Sequence, residues 1–298
     1  MNIKLGLHLG YASTRYNDPK IWTDIVRNEF DLNYVQFTSN LLEPSFSQNI
    51  IKEQINKINY YTKKNNIKIK HTFTSPRNNF LAHKDKKIRD YWFNWLKKFI
   101  WISKKLGAEG VGSLLGVLTF DDVNNNYKIT EKNVIQGWKK LSTYANQVGL
   151  NYLLWEPMSV RREMGDTIKF TQYLHKKLNE KNKLPILLNL DVDHGNHFTL
   201  NKEDKDPYEW IRKLSKFSPS IHIKQKTKDI YTHKPFIKKY NKNGIIRPDK
   251  ILKYLEKGNC KETILYFEFS FREREPFDSN SIKDIKESVK LWRRYVTQ

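Results

Sequence analysis

The chain is predicted to fold as one α/β domain, a single (β/α)8 TIM barrel covering residues 1–298. Three observations predict it. Eight short apolar runs alternate with eight amphipathic stretches, about 37 residues to a unit, as parallel strands covered by helices require. No shift in composition and no Pro- or Ser-rich linker interrupts that rhythm. Four of the later runs end abruptly in a polar residue able to bind metal. Tyr152–Trp155 ends in Glu156, Ile186–Leu190 in Asp191, Ser220-Ile221 in His222, and Ile264–Phe267 in Glu268. A buried parallel strand that stops at such a group delivers it to the C-terminal mouth of a barrel.

The elements follow in order. Ile3–Gly10 alternates apolar and polar residues and is the first strand, not a secretion signal. Asp18-Pro19 is a helix N-cap with proline at the first helical position, opening a helix to about Asn28. Tyr34–Phe37 is the second strand. Ile50, Ile51, Ile55 and Ile58 give helical spacing to Ser47–Asn65. Ile67–Phe73 is the third strand, with His71 toward its end. A long helix, Lys84–Leu106, stops at Gly107. The fourth strand, Gly110–Gly116, is glycine-rich, and Thr130 is expected to cap the next helix, which ends at Gly149. Glu156 closes the fifth strand, followed by a helix over Asp166–Lys181. Asp191 closes the sixth, and Asp206-Pro207 repeats the Asp-Pro cap. His222 lies on the seventh, followed by a helix over Pro248–Lys257. Glu268 closes the eighth, and Ser279–Val296 is the last helix.

Composition narrows the function. The single cysteine, Cys260, rules out an intrachain disulfide and fits a reducing, cytoplasmic compartment. No apolar run approaches the roughly 20 residues that span a membrane. The net charge of +22 raises nucleic-acid binding. A binding stripe would concentrate its cations, whereas the lysines are spread over nearly every helix, so nucleic acid is not the favoured partner. An anionic small substrate is compatible with the charge.

Strand ends of a barrel meet at one mouth, so Glu156, Asp191, His222 and Glu268 are expected to converge. Crowded carboxylates raise one another's pKa, and a divalent cation relieves the repulsion. One imidazole nitrogen and several carboxylate oxygens suit Mn²⁺, Mg²⁺, Co²⁺ or Zn²⁺ without choosing among them. Each residue alone has an ordinary structural explanation. Four in consecutive units at equivalent positions make a site. Around them, His194 points into the mouth three residues past Asp191, His197 follows in a loop, and Lys224 and Gln225 lie just beyond His222. Arg161 and Arg162 follow Glu156 and suit phosphate. His71 either touches substrate or fills the barrel.

The order Glu, Asp-x-x-His, His, Glu over strands five to eight resembles the xylose isomerase-like barrel superfamily, across essentially the whole chain. Shorter strings are similar to the tetrulose-phosphate epimerases, which act on erythrulose phosphates. They are Trp155-Glu156-Pro157, Arg161–Met164, Asp206–Trp210, Ile221–Gln225 and Arg274-Glu275-Pro276. The resemblance implies one divalent metal on Glu156, Asp191, His222 and Glu268. It also implies that Glu156 and Glu268 form an acid–base pair on opposite faces of a ketose, epimerising C3 through an enediolate. His194 would orient a substrate oxygen, and Arg162 and Lys224 would meet the phosphate. Two departures stand out: Asp193 precedes His194 where many relatives have glycine, and Gly244-Ile245-Ile246 stands near a missing Gly-Glu-Gly turn.

Three alternatives remain. An aldose–ketose isomerase or an epimerase of unphosphorylated ketoses would use the same residues. A repair nuclease of the endonuclease IV type would need further metal ligands. Strand two ends in Phe37-Thr38-Ser39, and Asp229 and His233 stand four apart, which matches that pattern poorly. A barrel that only binds sugar is disfavoured by the complete ligand set. Trp292 and Tyr295 on the last helix are compatible with either a homodimer or core packing.

Overall fold

A computed structural model of the chain describes residues 1–76, 78–195, 198–227, 233–271 and 278–296. His197, Asp229 and Arg274-Glu275-Pro276 lie outside the described residues. Eight parallel strands close into a barrel in sequence order, β1 pairing with both β2 and β8. They are β1 Asn2–His8, β2 Tyr34–Thr38, β3 Lys68–Thr74, β4 Gly110–Leu114, β5 Tyr152–Glu156, β6 Ile186–Asp191, β7 Ser220–Ile223 and β8 Glu262–Phe267. Around them run α1 Pro19–Asp24, α2 Gln48–Lys64, α3 Lys86–Lys105, α4 Tyr127–Gln147, α5 Ile168–Asn179, α6 Lys202–Lys205, α7 Pro207–Leu214, α8 Lys238–Asn241, α9 Pro248–Lys257 and α10 Ser281–Trp292. The predicted fold class is the observed one. None of the described helices is long and apolar enough to cross a membrane.

Local chemistry explains most boundaries. The Asp18 and Asp206 carboxylates accept from the backbone N–H of Lys20 and Tyr208, and each cap is followed by proline. Both expected Asp-Pro starts are therefore present. α1 is shorter than expected, because Ile25–Glu29 widens into a π turn. Thr130 does not cap α4. The chain is already helical at Tyr127, and the Thr130 hydroxyl instead donates to Asp122 Oδ1 at 3.0 Å. α5 starts after Thr167, whose hydroxyl caps the Phe170 N–H, not at Asp166. Trp292 is fully buried among Phe236 and Phe267, so core packing accounts for it; Tyr295 is exposed.

The barrel interior is packed by size complementarity. Gly110 lies opposite Tyr152, and any side chain there would collide with the Tyr152 ring. Gly6 makes room for Tyr266 in the same way. These rings pack the lower barrel, where His71 Nδ1 and Nε2 each lie 2.8 Å from a hydroxyl, of Tyr266 and Tyr152. One irregularity sets the register next to this layer. Val35 pairs with Ile69 and Gln36 with His71, so Lys70 is passed over in a bulge.

The Asp206 cap gives a stability test. Asp206→Ala should cost about 1 kcal/mol, read as a lower urea midpoint at unchanged slope. An unchanged midpoint would remove the cap from the account of α7.

Candidate active site

Strands β5 to β8 bring the expected quartet together. Glu156 and Asp191 are the last residues of β5 and β6, His222 lies on β7, and Glu268 follows β8 directly. Glu156, Asp191 and His222 each offer a donor atom, all within 4.8 Å of one another. His222 Nδ1 lies 2.8 Å from Glu156 Oε1, 3.4 Å from Glu268 Oε2 and 3.9 Å from Asp191 Oδ2. His222 is fully buried.

Lys224 departs from expectation. It does not stand free for a phosphate. Its ammonium is fully buried, 2.6 Å from Asp191 Oδ2 and paired also with Glu268 Oε2. Burial would discharge it, but Asp191 and Glu268 outweigh burial and hold its pKa above the ordinary lysine range. Burial opposes the charge on Glu268 too, yet His222 and Lys224 keep that carboxyl well below the usual range. Burial also works against a charged His222, and Glu268 and Glu156 reverse it, so its pKa is raised.

This donor set fits a divalent cation. Three carboxylates and one ammonium leave two negative charges, which one divalent ion beside a neutral imidazole balances. Oxygen and nitrogen donors of this kind leave the ion's identity open.

The remaining predicted residues divide. His194 reaches the cluster: its Nδ1–H donates to Pro157 O at 3.0 Å, and its Nε2 lies 3.5 Å from Asp191 Oδ2. Gln225 does not serve the mouth as expected. Its amide donates to Asn241 Oδ1 and Ile246 O and accepts from the Ile246 N–H, stitching the chain after β7 together. Arg162 is engaged on the rim, donating to Leu118 O at 2.9 Å with its guanidinium over Phe120. Arg161 packs on Phe170 and faces Asp166. His71 sits in mid-strand, with both ring nitrogens against tyrosine hydroxyls. Asp193 turns from the cluster toward Lys226, 3.4 Å away, and His233, 3.8 Å away.

Sequence reasoning missed four neighbours. Gln36 Oε1 lies 2.6 Å from His222 Nε2, and Asn189 and Ser220 pack beside it, all fully buried. The signal was there: Gln36 and Asn189 each interrupt an apolar run. His8, at the end of β1, places its ring 5.4 Å from that of His222 and accepts from the Gly10 N–H through Nδ1. Desolvation lowers its pKa to about 4, with His222 and Lys224 adding to the effect.

A closed barrel with acidic and imidazole groups gathered at one mouth defines a candidate barrel active site, and comparison with known proteins supplies the class. The chain is 32% identical over 301 residues to D-erythrulose 1-phosphate 3-epimerase of Brucella abortus, covering 99% of this chain and 97% of that protein. Among solved structures, a putative xylose isomerase from Rhodospirillum rubrum superposes with a TM-score of 0.89 at 20% identity, covering 99% of this chain and 100% of that one. A D-psicose 3-epimerase from Clostridium cellulolyticum, in complex with D-tagatose, superposes with a TM-score of 0.69 at 16% identity, covering 99% and 91%. No protein-family model matches the chain. The chain belongs to the erythrulose-phosphate 3-epimerase family, and it shares its fold with the putative xylose isomerase and the psicose epimerase. It is thus an isomerase acting on carbohydrates.

The buried ammonium yields a prediction. Lys224→Met should leave Asp191 and Glu268 uncompensated and cost about 3–5 kcal/mol in urea unfolding without added metal. A loss below about 1 kcal/mol would show that the pair contributes little.

Proposed function

We propose that the chain is a metal-dependent 3-epimerase of a small ketose phosphate, with an erythrulose phosphate as the substrate class. The observation that carries this reading is the approach of two glutamates to one buried imidazole nitrogen from different sides. Glu156 Oε1 and Glu268 Oε2 lie 2.8 and 3.4 Å from His222 Nδ1, at the ends of strands three apart in a ring of eight. The Brucella relative is named for the same conversion, at C3 of a tetrulose phosphate.

Inverting a carbon beside a carbonyl requires a proton to leave one face and another to arrive on the opposite face. One of Glu156 and Glu268 takes the C3 proton through a carboxylate oxygen, leaving an enediolate. The other, protonated, returns a proton from across the substrate. Each positioned carboxyl contributes roughly 10²–10⁴-fold in rate. His194, anchored on Pro157 O, is placed to orient a substrate oxygen next to Asp191. Glu156, Asp191, His222 and Glu268 would hold the divalent cation, which supplies Lewis acidity to the ketose oxygens, worth several kcal/mol. Lys224 pairs with Asp191 and Glu268 and offsets their negative charge in the mouth.

The test is NMR in D₂O with Mn²⁺ and a panel of ketoses and ketose phosphates. Deuterium should enter C3 with inversion, most rapidly for an erythrulose phosphate. Incorporation at the carbon next to an aldehyde instead would mark an aldose–ketose isomerase. Glu156→Gln and Glu268→Gln should each reduce exchange by at least about 10²-fold. A variant with near-normal exchange would remove that residue from the acid–base pair.

Metal dependence is tested separately. Dialysis against EDTA should abolish turnover, and Mn²⁺, Mg²⁺, Co²⁺ or Zn²⁺ should restore it. Full activity in the chelated protein would overturn the metal assignment.

A further inference from the structure

We propose that Gln36 is a positioning residue that fixes His222 as its Nε2–H tautomer and thereby turns the Nδ1 lone pair toward the cation. The inference rests on the metal-dependent reading above and deepens it.

Gln36, Asn189, Ser220 and His222 are all fully buried inside the barrel. Such interiors are ordinarily filled by branched apolar side chains, and a buried polar group is costly unless it is hydrogen-bonded. Here the bonds form a chain with a direction, and a carboxylate sets it. An ionised carboxylate only accepts. Asn189 Nδ2 lies 3.2 Å from Glu156 Oε1, so the nitrogen end of that amide faces the glutamate. Asn189 Oδ1 is thereby turned away, where it accepts from Ser220 Oγ at 2.5 Å and from Gln36 Nε2 at 3.1 Å. Gln36 Nε2 donates also to Ser220 Oγ at 3.1 Å.

With its nitrogen committed, Gln36 has only Oε1 to offer His222, and Nε2 of that imidazole lies 2.6 Å away. A carbonyl oxygen cannot donate, so the proton in this contact belongs to the imidazole. Nδ1 faces Glu156, Glu268 and Asp191, so a cation held there takes the place of the Nδ1 proton and leaves a neutral His222 with its one N–H on Nε2. Asn189 Nδ2 lies 3.2 Å from Nδ1 and 3.4 Å from Nε2, so the direction is set by Gln36 and not by Asn189. Reversing Asn189 would set its oxygen against the Glu156 carboxylate, and reversing Gln36 would then set its oxygen against Asn189 Oδ1. The orientation therefore follows from the network itself, independent of how either amide is drawn. Partners that orient a ligating histidine typically change metal affinity by about 10–100-fold when removed.

The experiment uses the whole protein labelled with nitrogen-15 histidine and loaded with cadmium-113. The His222 signals should show coupling of cadmium to Nδ1 and a proton on Nε2. Coupling to Nε2 would overturn this inference and leave the metal reading standing. No bound cadmium, with activity unaffected by EDTA, would remove both. In titration calorimetry, Gln36→Leu should bind Mn²⁺ about 10–100-fold more weakly. Gln36→Glu, which keeps an acceptor for Nε2–H, should recover most of that loss. A Gln36→Leu protein binding Mn²⁺ within about twofold of the unaltered chain would overturn the assignment. Should that variant fail to fold, the spectrum of the unaltered protein decides the question.

Discussion

Like charges forced together away from water are the constraint on which this molecule is built. Asp191 and Glu156 are buried, Glu268 is largely so, and all three carboxylates point at one imidazole. In such a place their repulsion is far larger than it would be in solvent. The barrel answers it with positive charge from within, through Lys224, and with the polarity of His222. What is left over matches a divalent ion. Helix caps, strand register and the packed interior all serve to hold these groups at distances where this balance works.

Beneath the mouth the interior is layered. His71 with Tyr152 and Tyr266 packs the lower barrel, and the amides of Gln36 and Asn189 lie between that layer and the acids. The amide layer is bonded directly to the imidazole and the carboxylate above it. An amide belt contributes little net stability compared with apolar packing, since hydrogen bonds exchanged with water are nearly neutral. Its contribution is direction: it tells the imidazole which nitrogen carries the proton. The bulge at Lys70 lies alongside the Gln36–His71 pairing, so strand register and site chemistry meet at one place.

Much of this was legible in the chain itself. The barrel followed from the alternation of short apolar runs and helical stretches. The quartet followed because parallel strands must open on a common rim. The acids at Glu156, Asp191 and Glu268 stood out because each ends an apolar run. Residues whose roles depend on neighbours from other strands were misread. Lys224 looked like a phosphate ligand because its partners, Asp191 and Glu268, are remote in sequence. Gln225 looked like part of the site because of its place after β7, yet its amide is spent on Asn241 and Ile246. Thr130 resembled a cap, but the aspartate that holds it, Asp122, lies eight residues earlier and had started the turn already. Periodicity reports which face a residue occupies and says nothing of what waits there.

The tyrosines that pack the lower barrel carry one last implication. Glycines opposite them let the rings fill the lower interior, and this kind of barrel is a packed core with no passage through it. Arrival and departure therefore share a single doorway. A molecule that has been converted must leave before the next can come in, so crowding at that doorway makes the reaction's own product a competitor for the site.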